Sequence, residues 1–314
     1  MIPFEWLESA QKRINDIVKR TPLIFDESLG VFIKWENEQV TGSFKLRGAA
    51  NKILSLQDWE KENGIITCSA GNHGQGCALV CQKENINCEV FASNHAVAMK
   101  IAAMEVLGAK VTRVDGDYFI AEKTAIRQAE LTGKIFISPY NDVQVIAGQG
   151  TLGLEIEEQT GHWEKIRSVV VPVGGGGLIS GIGVSLEQVA IKPKLIGVQS
   201  EASAYMHSIF YTGSQKSVKE TESLADGLSG EVDHQSVTIP LVDKYTDQIL
   251  LVSENDIKNA ISYAWQKHHQ LIEGSGAVSL AAILKGLVKD LPAVVIITGG
   301  NIQPEIHKKI VEKP

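Results

Sequence analysis

The chain has 314 residues, of which 44% are hydrophobic and 21% charged, so it can bury one large core or two ordinary ones, and disorder, collagen-like repetition and a coiled coil are excluded. Its 30 basic and 37 acidic side chains leave a net charge of −7, which gives no electrostatic footprint for nucleic acid or an anionic membrane and predicts a small-molecule partner. No apolar run approaches the ~20 residues that span a bilayer, and the amino terminus has no cationic and apolar leader, so we expect a cytoplasmic protein.

Short runs rich in Val and Ile recur along the chain, and they are continuously apolar where a half-exposed strand would alternate. This pattern is typical of strands that are buried on both faces of a parallel sheet. The predicted strands are residues 64–68, 88–92, 168–173, 195–198 and 293–298.

Segments with a helical period lie between these runs. The predicted helices are residues 75–83, 97–107, 119–131, 178–189, 256–268 and 277–287. The alternation predicts an α/β fold of two doubly wound domains with mainly parallel sheets and a cleft between them. We assign residues 48–142 to a small mobile domain and residues 1–47 plus 143–314 to a large one. The polar stretch 211–247 has little periodicity and predicts a surface loop.

The four cysteines, Cys68, Cys77, Cys81 and Cys88, are too few for a disulfide framework in a chain of this length. We therefore expect reduced thiols. Cys77 and Cys81 are four residues apart, a spacing that two metal ligands on one helix face can share. No Cys-x-x-Cys pair or Cys/His quartet completes such a site, which favours cysteines packed as small buried hydrophobes.

A lysine lies between glycines in the segment 41–48, which reads TGSFKLRG, and an arginine follows two residues later. Taken alone, this segment favours an ordinary solvated cation at Lys45, since most lysines are solvated. A lysine held in a cleft beside another cation is desolvated, so its pKa falls and its free amine becomes available for Schiff-base chemistry.

Four consecutive glycines, Gly174, Gly175, Gly176 and Gly177, follow the predicted strand 168–173 and precede a predicted helix. In such a loop the backbone N–H groups and the helix amino terminus attract an anion. No Gly-Lys-Ser/Thr follows, which excludes a P-loop, and the third glycine of a dinucleotide fingerprint is missing. The loop therefore predicts a site for a single phosphate group, with a structural turn as the alternative.

Two further turns lie where an apolar run ends. The segment 69–74 reads SAGNHG and offers N–H groups and an amide to a substrate carboxylate or a ring hydroxyl. His73 is a candidate general base there, although helix capping explains Asn72 and His73 equally well. The segment 298–301 reads TGGN and brings the Thr298 hydroxyl to a strand carboxyl end, where α/β folds bind ligands. A tight turn is its alternative.

In this order, the SFKLRG lysine, the SAGNH loop, the GGGG loop and the terminal GGN resemble the fold-type II pyridoxal-phosphate enzymes, which have the tryptophan synthase β-like fold. Within them the chain is similar to the serine/threonine dehydratases and to their relative serine racemase. The resemblance runs from about residue 21 to residue 301. It includes the segments AGQGT at 147–151, LADG at 224–227 and EGSG at 273–276.

The resemblance implies a role for each motif. Lys45 would bind pyridoxal 5′-phosphate covalently, Phe44 would pack near its ring, and Asn72 would bond the ring hydroxyl. The loop Gly174 to Gly177 would bind the phosphate. Thr298 would meet the pyridine nitrogen, where the family usually has serine. The substrate carboxylate would lie in the loop formed by Ser69, Ala70, Gly71, Asn72 and His73.

The activity implied is that of a lyase in amino-acid catabolism. It eliminates water from L-threonine, L-serine or a related 3-hydroxy amino acid and gives a 2-oxo acid and ammonia, with Lys45 taking the Cα proton. The alternative is a racemase, which needs a second acid/base group on the opposite face of Cα. Serine racemases have a serine at the position of Ala70, and mammalian-type racemases have asparagine at that of Tyr140. Both positions favour elimination.

Other properties carry over less completely. β-Replacement, as in cysteine synthase relatives, ranks third because its asparagine loop differs, and a phosphate-binding module without catalysis leaves Lys45 without a role. Some relatives bind a divalent cation through a glutamate and, six residues later, an aspartate. Glu201 matches the first ligand, but His207 stands at the second position and suits magnesium or calcium poorly. We therefore expect no metal, with Glu201 as the one candidate ligand, and a homodimer by analogy with the family.

Overall fold

A computed structural model describes residues 2–312; Met1, Lys313 and Pro314, at the ends of the predicted large domain, lie outside the described residues. The strands are β1 Leu23–Asp26, β2 Val31–Trp35, β3 Ile65–Cys68, β4 Cys88–Ser93, β5 Lys110–Val114, β6 Ile135–Ile137, β7 Ser168–Pro172, β8 Lys194–Ser200, β9 Gln248–Val252 and β10 Ala293–Ile297. The helices are α1 Phe4–Ile14, α2 Lys45–Leu54, α3 Asp58–Asn63, α4 Asn72–Glu84, α5 Ala98–Val106, α6 Tyr118–Thr132, α7 Val143–Thr160, α8 Gly177–Ser185, α9 Tyr205–Thr212, α10 Thr238–Tyr245, α11 Glu254–His268, α12 Gly274–Leu284 and α13 Pro304–Val311.

The strands form two sheets. One has the order β1-β2-β10-β7-β8-β9, and the other has the order β5-β4-β3-β6. Every pairing is parallel except that of β1 with β2. This confirms the predicted α/β fold with two mainly parallel sheets. Because β10 and β7 are parallel neighbours, the loops that follow them emerge at the same edge of the sheet.

Both faces of the larger sheet are buried, which explains why its strands are continuously apolar. Val169 and Val171 of β7 join one hydrophobic core, whereas Val170 between them joins the core on the opposite face. β10 divides in the same way, with Val295 on the side of Val170 and Val294 on the side of Val169. Each such side chain contributes about 1.5–3 kcal/mol when it is fully buried.

Helix α7 lies between α2 and α8 and contacts both through glycines. A Cβ on Gly148 would lie 2.7 Å from the Cα of Gly48 in α2, and a Cβ on Gly150 would lie 2.7 Å from the carbonyl oxygen of Gly181 in α8. Such distances leave no room for a side chain, so the three helix backbones approach one another directly. The segment 147–151 therefore holds the start of α2 and the start of α8 on opposite sides of one helix.

The predicted strands are confirmed to within two residues at each end, and the predicted helices are all present, with ends that differ by up to four residues. The expectation of a surface loop over residues 211–247 is wrong in part, because α10 lies within it and both Val232 and Val242 are buried. The division into residues 48–142 and the remainder stays a prediction; its first boundary falls inside α2. Among the described residues, no helix is both long enough and apolar enough to cross a bilayer.

Candidate active site

A cavity of about 190 Å³ lies where the carboxyl ends of β3, β7 and β10 face one another. It is lined by every residue that the sequence singled out for a cofactor or a substrate: Phe44, Lys45, Ser69, Ala70, Gly71, Asn72, His73, Gly174, Gly175, Gly176, Gly177 and Thr298. Four motifs from distant parts of the chain therefore line one cavity.

Lys45 is the first residue of α2. The residues just before it are hydrogen-bonded to the residues that follow β10. The N–H of Phe44 donates to the carbonyl of Thr298 at 3.0 Å, and Ser43 forms an isolated β-bridge with Gly299. The Lys45 amine donates to the carbonyl of Pro139 at 2.9 Å and lies 5.3 Å from the centre of the Phe44 ring. Burial lowers the pKa of this amine to about 8, against the opposing effect of Cys77 and Glu273.

Arg47 does not act on the amine as the sequence suggested. Its guanidinium points away from the cavity, donating from Nε and Nη2 to the two carboxylate oxygens of Glu36, each at 2.8 Å, and from Nη2 to Glu155 at 2.8 Å. All three side chains are buried. The low pKa of Lys45 is therefore a consequence of desolvation, and the neighbouring cation is neutralised by its own partners.

The glycine loop presents free backbone donors. The N–H groups of Gly175, Gly176 and Gly177 have no hydrogen-bond acceptor within residues 2–312, and Gly177 begins α8, whose first N–H groups lack intrahelical partners in any case. Gly176 has φ +86°, a left-handed conformation that disfavours other residues. A Cβ on Gly175 would overlap the ring of Tyr140 at 2.4 Å, so the loop's close contact with that ring also needs glycine.

The side chain of Asn72 is held by hydrogen bonds from two other parts of the chain. Its Nδ2 donates to Glu273 Oε1 at 2.6 Å, and its Oδ1 accepts from Asn301 Nδ2 at 2.7 Å. Gly71, not Asn72, is the N-cap residue of α4, and no side chain caps this helix. The capping alternative for Asn72 is therefore wrong, and its amide instead connects the 69–74 segment with the two segments that follow α11 and β10.

His73 is buried beneath the same loop. Its Nε2 lies 3.4 Å from the carbonyl oxygen of Ile137 and 3.5 Å from Cys77 Sγ, while its Nδ1 has no partner in the described part of the chain. Burial, reinforced by the charge of Lys45, lowers the pKa of His73 to about 3. The ring is therefore neutral at physiological pH and a weak base.

Thr298 lies directly after β10 and is buried at the cavity wall. Its hydroxyl lies 3.4 Å from the carbonyl oxygen of Ser275, a long and weak contact. The hydroxyl is therefore available to a ligand group that approaches more closely.

Sequence reasoning gave no role to a group of charged side chains at the cavity. Lys100 on α5 pairs with Asp226 at 2.8 Å, and both line the cavity with Glu273. Burial raises the pKa of Glu273 to about 7 against the opposing charge of Lys100. Burial also disfavours the charge on Lys100, but Asp226 and Glu273 outweigh it and raise its pKa. Asp226 and Glu273 belong to the LADG and EGSG segments, so motif matching located them without assigning a role.

The candidate metal ligand lies elsewhere. Glu201 is exposed in a short 3-10 helix and does not line the cavity, and the ring of His207 packs 4.7 Å from that of Tyr211. Across residues 2–312, no group of three or more His, Cys, Asp or Glu side chains is arranged to hold a metal ion. The four cysteines are buried, as expected for small hydrophobes, and none of them forms a disulfide within the described residues.

Comparisons with known proteins agree with this geometry. A family model described as pyridoxal-phosphate dependent enzyme matches residues 14–299. The L-threonine ammonia-lyase of Thermotoga maritima is 39% identical over 320 residues, which cover 100% of this chain and 79% of that protein. The catabolic L-threonine dehydratase of Escherichia coli K12 is 42% identical over 280 residues, which cover 87% of this chain and 83% of that protein. The structure of maize serine racemase superposes with a TM-score of 0.91 at 28% identity, covering 98% of this chain and 96% of that chain.

Proposed function

The chain belongs to the pyridoxal-phosphate dependent enzymes, and from that premise we propose that it is an L-threonine ammonia-lyase, a lyase that converts L-threonine into 2-oxobutanoate and ammonia. L-Serine and related 3-hydroxy amino acids are further substrates on this proposal. The observation that carries it is the Lys45 amine, buried with a pKa of about 8 in the same cavity as the free amides of the glycine loop.

The residues present fit pyridoxal phosphate at three points. The unpartnered N–H groups of Gly175 to Gly177 suit its phosphate. The low pKa of Lys45 gives the neutral amine that must react with an aldehyde. Asn72, held from two sides, and Thr298, with its weakly bonded hydroxyl, would contact the ring, and Phe44 would pack beside it. A neutral hydroxyl at the ring nitrogen limits how far negative charge spreads into the ring, which suits elimination.

The protein's own groups then account for the rest of the reaction. When bound, the cofactor supplies an electron sink for bond breaking at the substrate Cα. The backbone of Ser69 to Gly71 and the start of α4 would orient the substrate carboxylate. Lys45 Nζ would take the proton from Cα as the hydroxyl leaves Cβ as water, and hydrolysis returns one water, so that threonine yields 2-oxobutanoate and ammonia.

Racemisation is the second candidate, because the fold is shared with maize serine racemase. A racemase must return a proton to the opposite face of Cα from a second acid. The residue at the corresponding place in the 69–74 loop is Ala70, which carries no proton to donate. The Ser69 hydroxyl accepts a hydrogen bond from the N–H of Gly71 at 3.1 Å. These residues favour elimination.

The test is an assay of the purified protein with pyridoxal phosphate against a panel of L-threonine, L-serine and bulkier 3-hydroxy amino acids. Ammonia and 2-oxo acid are followed together with the D-amino acid. We expect equal amounts of ammonia and 2-oxo acid, formed faster than any D-amino acid. Lys45→Ala is the control and is expected to lose both turnover and the absorbance band of the covalent cofactor linkage. D-Serine formed faster than oxo acid would overturn the assignment in favour of a racemase.

We propose further that the protein acts in the cytoplasm, in amino-acid catabolism, as a homodimer. Four unpaired cysteines suit a reducing compartment, and the name of the Escherichia coli relative supports the catabolic role. The homodimer rests on the family resemblance alone. Light scattering at several protein concentrations tests it, and a constant monomer mass would contradict it.

A further inference from the structure

Lys100 carries its positive charge at a place where the fold disfavours one. It is the third residue of α5, in the first turn, where the helix dipole repels a cation. Its side chain is 10% exposed, and burial also disfavours the charged form. The residue lines the cavity that contains Lys45. An apolar side chain is therefore expected at this position unless the cation has a task in the cavity.

The ion pair with Asp226 does not account for the buried charge. Lys100 Nζ donates to Asp226 Oδ2 at 2.8 Å, but the Asp226 side chain is 53% exposed, so water screens this interaction. An ammonium group has three donors, and Asp226 is the one acceptor that the described chain offers to this one. Two N–H groups of a largely buried ammonium thus remain for a ligand.

The ammonium group lies beside the segment 69–74. A Cβ on Gly71 would lie 2.9 Å from Cδ and 3.7 Å from Nζ of Lys100, so the lysine side chain passes directly over this glycine. Gly71 is the N-cap residue of α4, and the backbone N–H groups of the next two residues, Asn72 and His73, have no acceptor within residues 2–312. The cation and the free N–H groups of a helix start therefore lie together at the cavity wall.

The packing of α5 on α4 fixes this arrangement. A Cβ on Gly74, in the first turn of α4, would overlap the sulfur of Met104 in α5, so the two helices touch where α4 begins. Met104 is buried and lies four residues after Lys100, on the same face of the helix. The face of α5 that packs against α4 thus also carries the ammonium group to the segment 69–74.

We propose that Lys100 is a substrate-binding residue: its ammonium group pairs with the α-carboxylate of the amino-acid substrate, which the N–H groups of the segment 69–74 orient. A carboxylate accepts hydrogen bonds from both kinds of donor at once, and its attraction to a cation is stronger away from water than at a surface. The inference rests on the proposed function, to which it adds a counter-ion for the substrate. It predicts that the amide of the same amino acid binds much more weakly than the acid.

The two acidic side chains that face Lys100 leave its charge available. Asp226 approaches from the exposed side, and solvent screens its charge. Glu273 is buried, and its Oε1 accepts a hydrogen bond from Asn72. Because burial raises the pKa of Glu273 to about 7, about half of this carboxyl is neutral at pH 7. Neither group therefore neutralises Lys100 as fully as two buried carboxylates neutralise Arg47.

Paired changes to the protein and to the ligand isolate the interaction. Lys100→Met removes the charge at similar length, and Lys100→Arg keeps it. L-2-Aminobutanoate has the carboxylate and the amine of threonine without the hydroxyl that would leave, and its amide lacks the carboxylate charge. Lys134→Met is the matched control, because Lys134 is also a partly buried lysine paired with a carboxylate but lies outside the cavity.

Calorimetry with the pyridoxal-phosphate-loaded proteins measures the dissociation constants of both ligands, and thermal unfolding checks that each variant is folded. For Lys100→Met we expect the dissociation constant of the acid to rise by about tenfold to a hundredfold, and that of the amide to change by less than about threefold. Lys100→Arg should keep most of the preference for the acid, and Lys134→Met should match the wild type. With L-threonine, Lys100→Met should raise KM far more than it lowers kcat.

A purely structural role of Lys100 predicts a different result, because a distorted cavity weakens the binding of acid and amide alike. The proposal is overturned if Lys100→Met weakens both ligands by the same factor, or if the wild type shows no preference for the acid.

The two proposals fail in different ways. If the wild-type protein releases no ammonia from any 3-hydroxy amino acid, the proposed function is wrong, and the binding measurements still test Lys100 because neither ligand has a leaving group. If the wild type is active and Lys100→Met keeps the full preference for the acid, the inference about Lys100 is wrong while the function stands.

Discussion

Helix α2 carries two cations in opposite surroundings. Lys45 faces the cavity with one acceptor, the carbonyl of Pro139, in the described chain, whereas Arg47, two residues later, makes three hydrogen bonds to Glu36 and Glu155. Burial disfavours the charge on both side chains. For Arg47 the two carboxylates outweigh burial and raise its pKa, but for Lys45 burial wins and its pKa falls to about 8. The number of hydrogen-bond and ion-pair partners, and not burial alone, thus decides whether the pKa of a cation on α2 rises or falls.

The largest loss of stability is expected when the salt bridges of Arg47 are removed. Arg47→Met leaves Glu36 buried without the cation that pairs with it, whereas Glu155 keeps Lys34 as a partner, so we expect the free energy of unfolding to fall by about 3–5 kcal/mol. Urea denaturation of the cofactor-free protein measures this. Arg47→Lys keeps the charge but loses the paired geometry, and its loss should be smaller. A loss below about 1 kcal/mol for Arg47→Met would show that the network contributes little.

Substitution of Lys45, on the cavity side of α2, is expected to raise the free energy of unfolding, not to lower it. Lys45→Met removes a charge that burial disfavours, so the cofactor-free protein should gain up to about 3 kcal/mol at pH 7, which is the energy that a pKa of about 8 in place of 10.5 represents. Between pH 8 and pH 10.5, approximately, the Lys45 amine is protonated in the unfolded chain and neutral in the folded protein. The stability of the wild type should therefore rise with pH from about 8 to 10.5 relative to Lys45→Met, and the difference should vanish above that range.

Urea denaturation of both proteins at several pH values checks this prediction. Lys308→Met is the matched control, because the Lys308 side chain is 70% exposed and should contribute little at any pH. If Lys45→Met is no more stable than the wild type at pH 7, burial does not disfavour the charged Lys45 amine as predicted.

The smallest change in stability is expected for the Lys100–Asp226 pair, which is partly exposed at the cavity. Lys100 and Asp226 are paired, but the Asp226 side chain is 53% exposed, so Asp226→Asn should change the free energy of unfolding by less than about 1 kcal/mol. A double-mutant cycle with Lys100→Met isolates the pair from the separate effects of each substitution. A coupling energy above about 1 kcal/mol would show that this exposed pair stabilises the protein much as the Arg47 salt bridges do.

The fold was predictable from the sequence where the pattern is local. The run 168–173 contains three consecutive valines that alternate between two cores, and this double burial is what a continuous apolar run indicates. The short helix α10 was missed because its eight residues include Pro240 and are too few for a helical pattern to be recognised. Its burial depends on tertiary contacts, among them that of Val242 with Gly176.

The candidate site was predictable to the extent that its residues belong to motifs. The lysine, asparagine and glycine segments were identified from order and composition, and they line one cavity. The direction of Arg47 was not, because its partners Glu36 and Glu155 lie 11 and 108 residues away. The same reason hid the pairing of Lys100 with Asp226, 126 residues apart. Residue type and spacing predict which segments meet at the strand ends. They do not predict which acidic side chain pairs with which basic one.

The two glycine contacts of α7 have a consequence for how this protein can change. The separation between the Lys45 amine of α2 and the unpartnered N–H groups before α8 depends on backbone-to-backbone contacts, at Gly148 with Gly48 and at Gly150 with Gly181. Bulkier neighbours can adopt new rotamers, whereas touching backbones cannot yield without moving whole helices. A methyl group added at either crossing would push the helices apart and widen the gap between the Lys45 amine and the glycine-loop N–H groups, although it would contact neither.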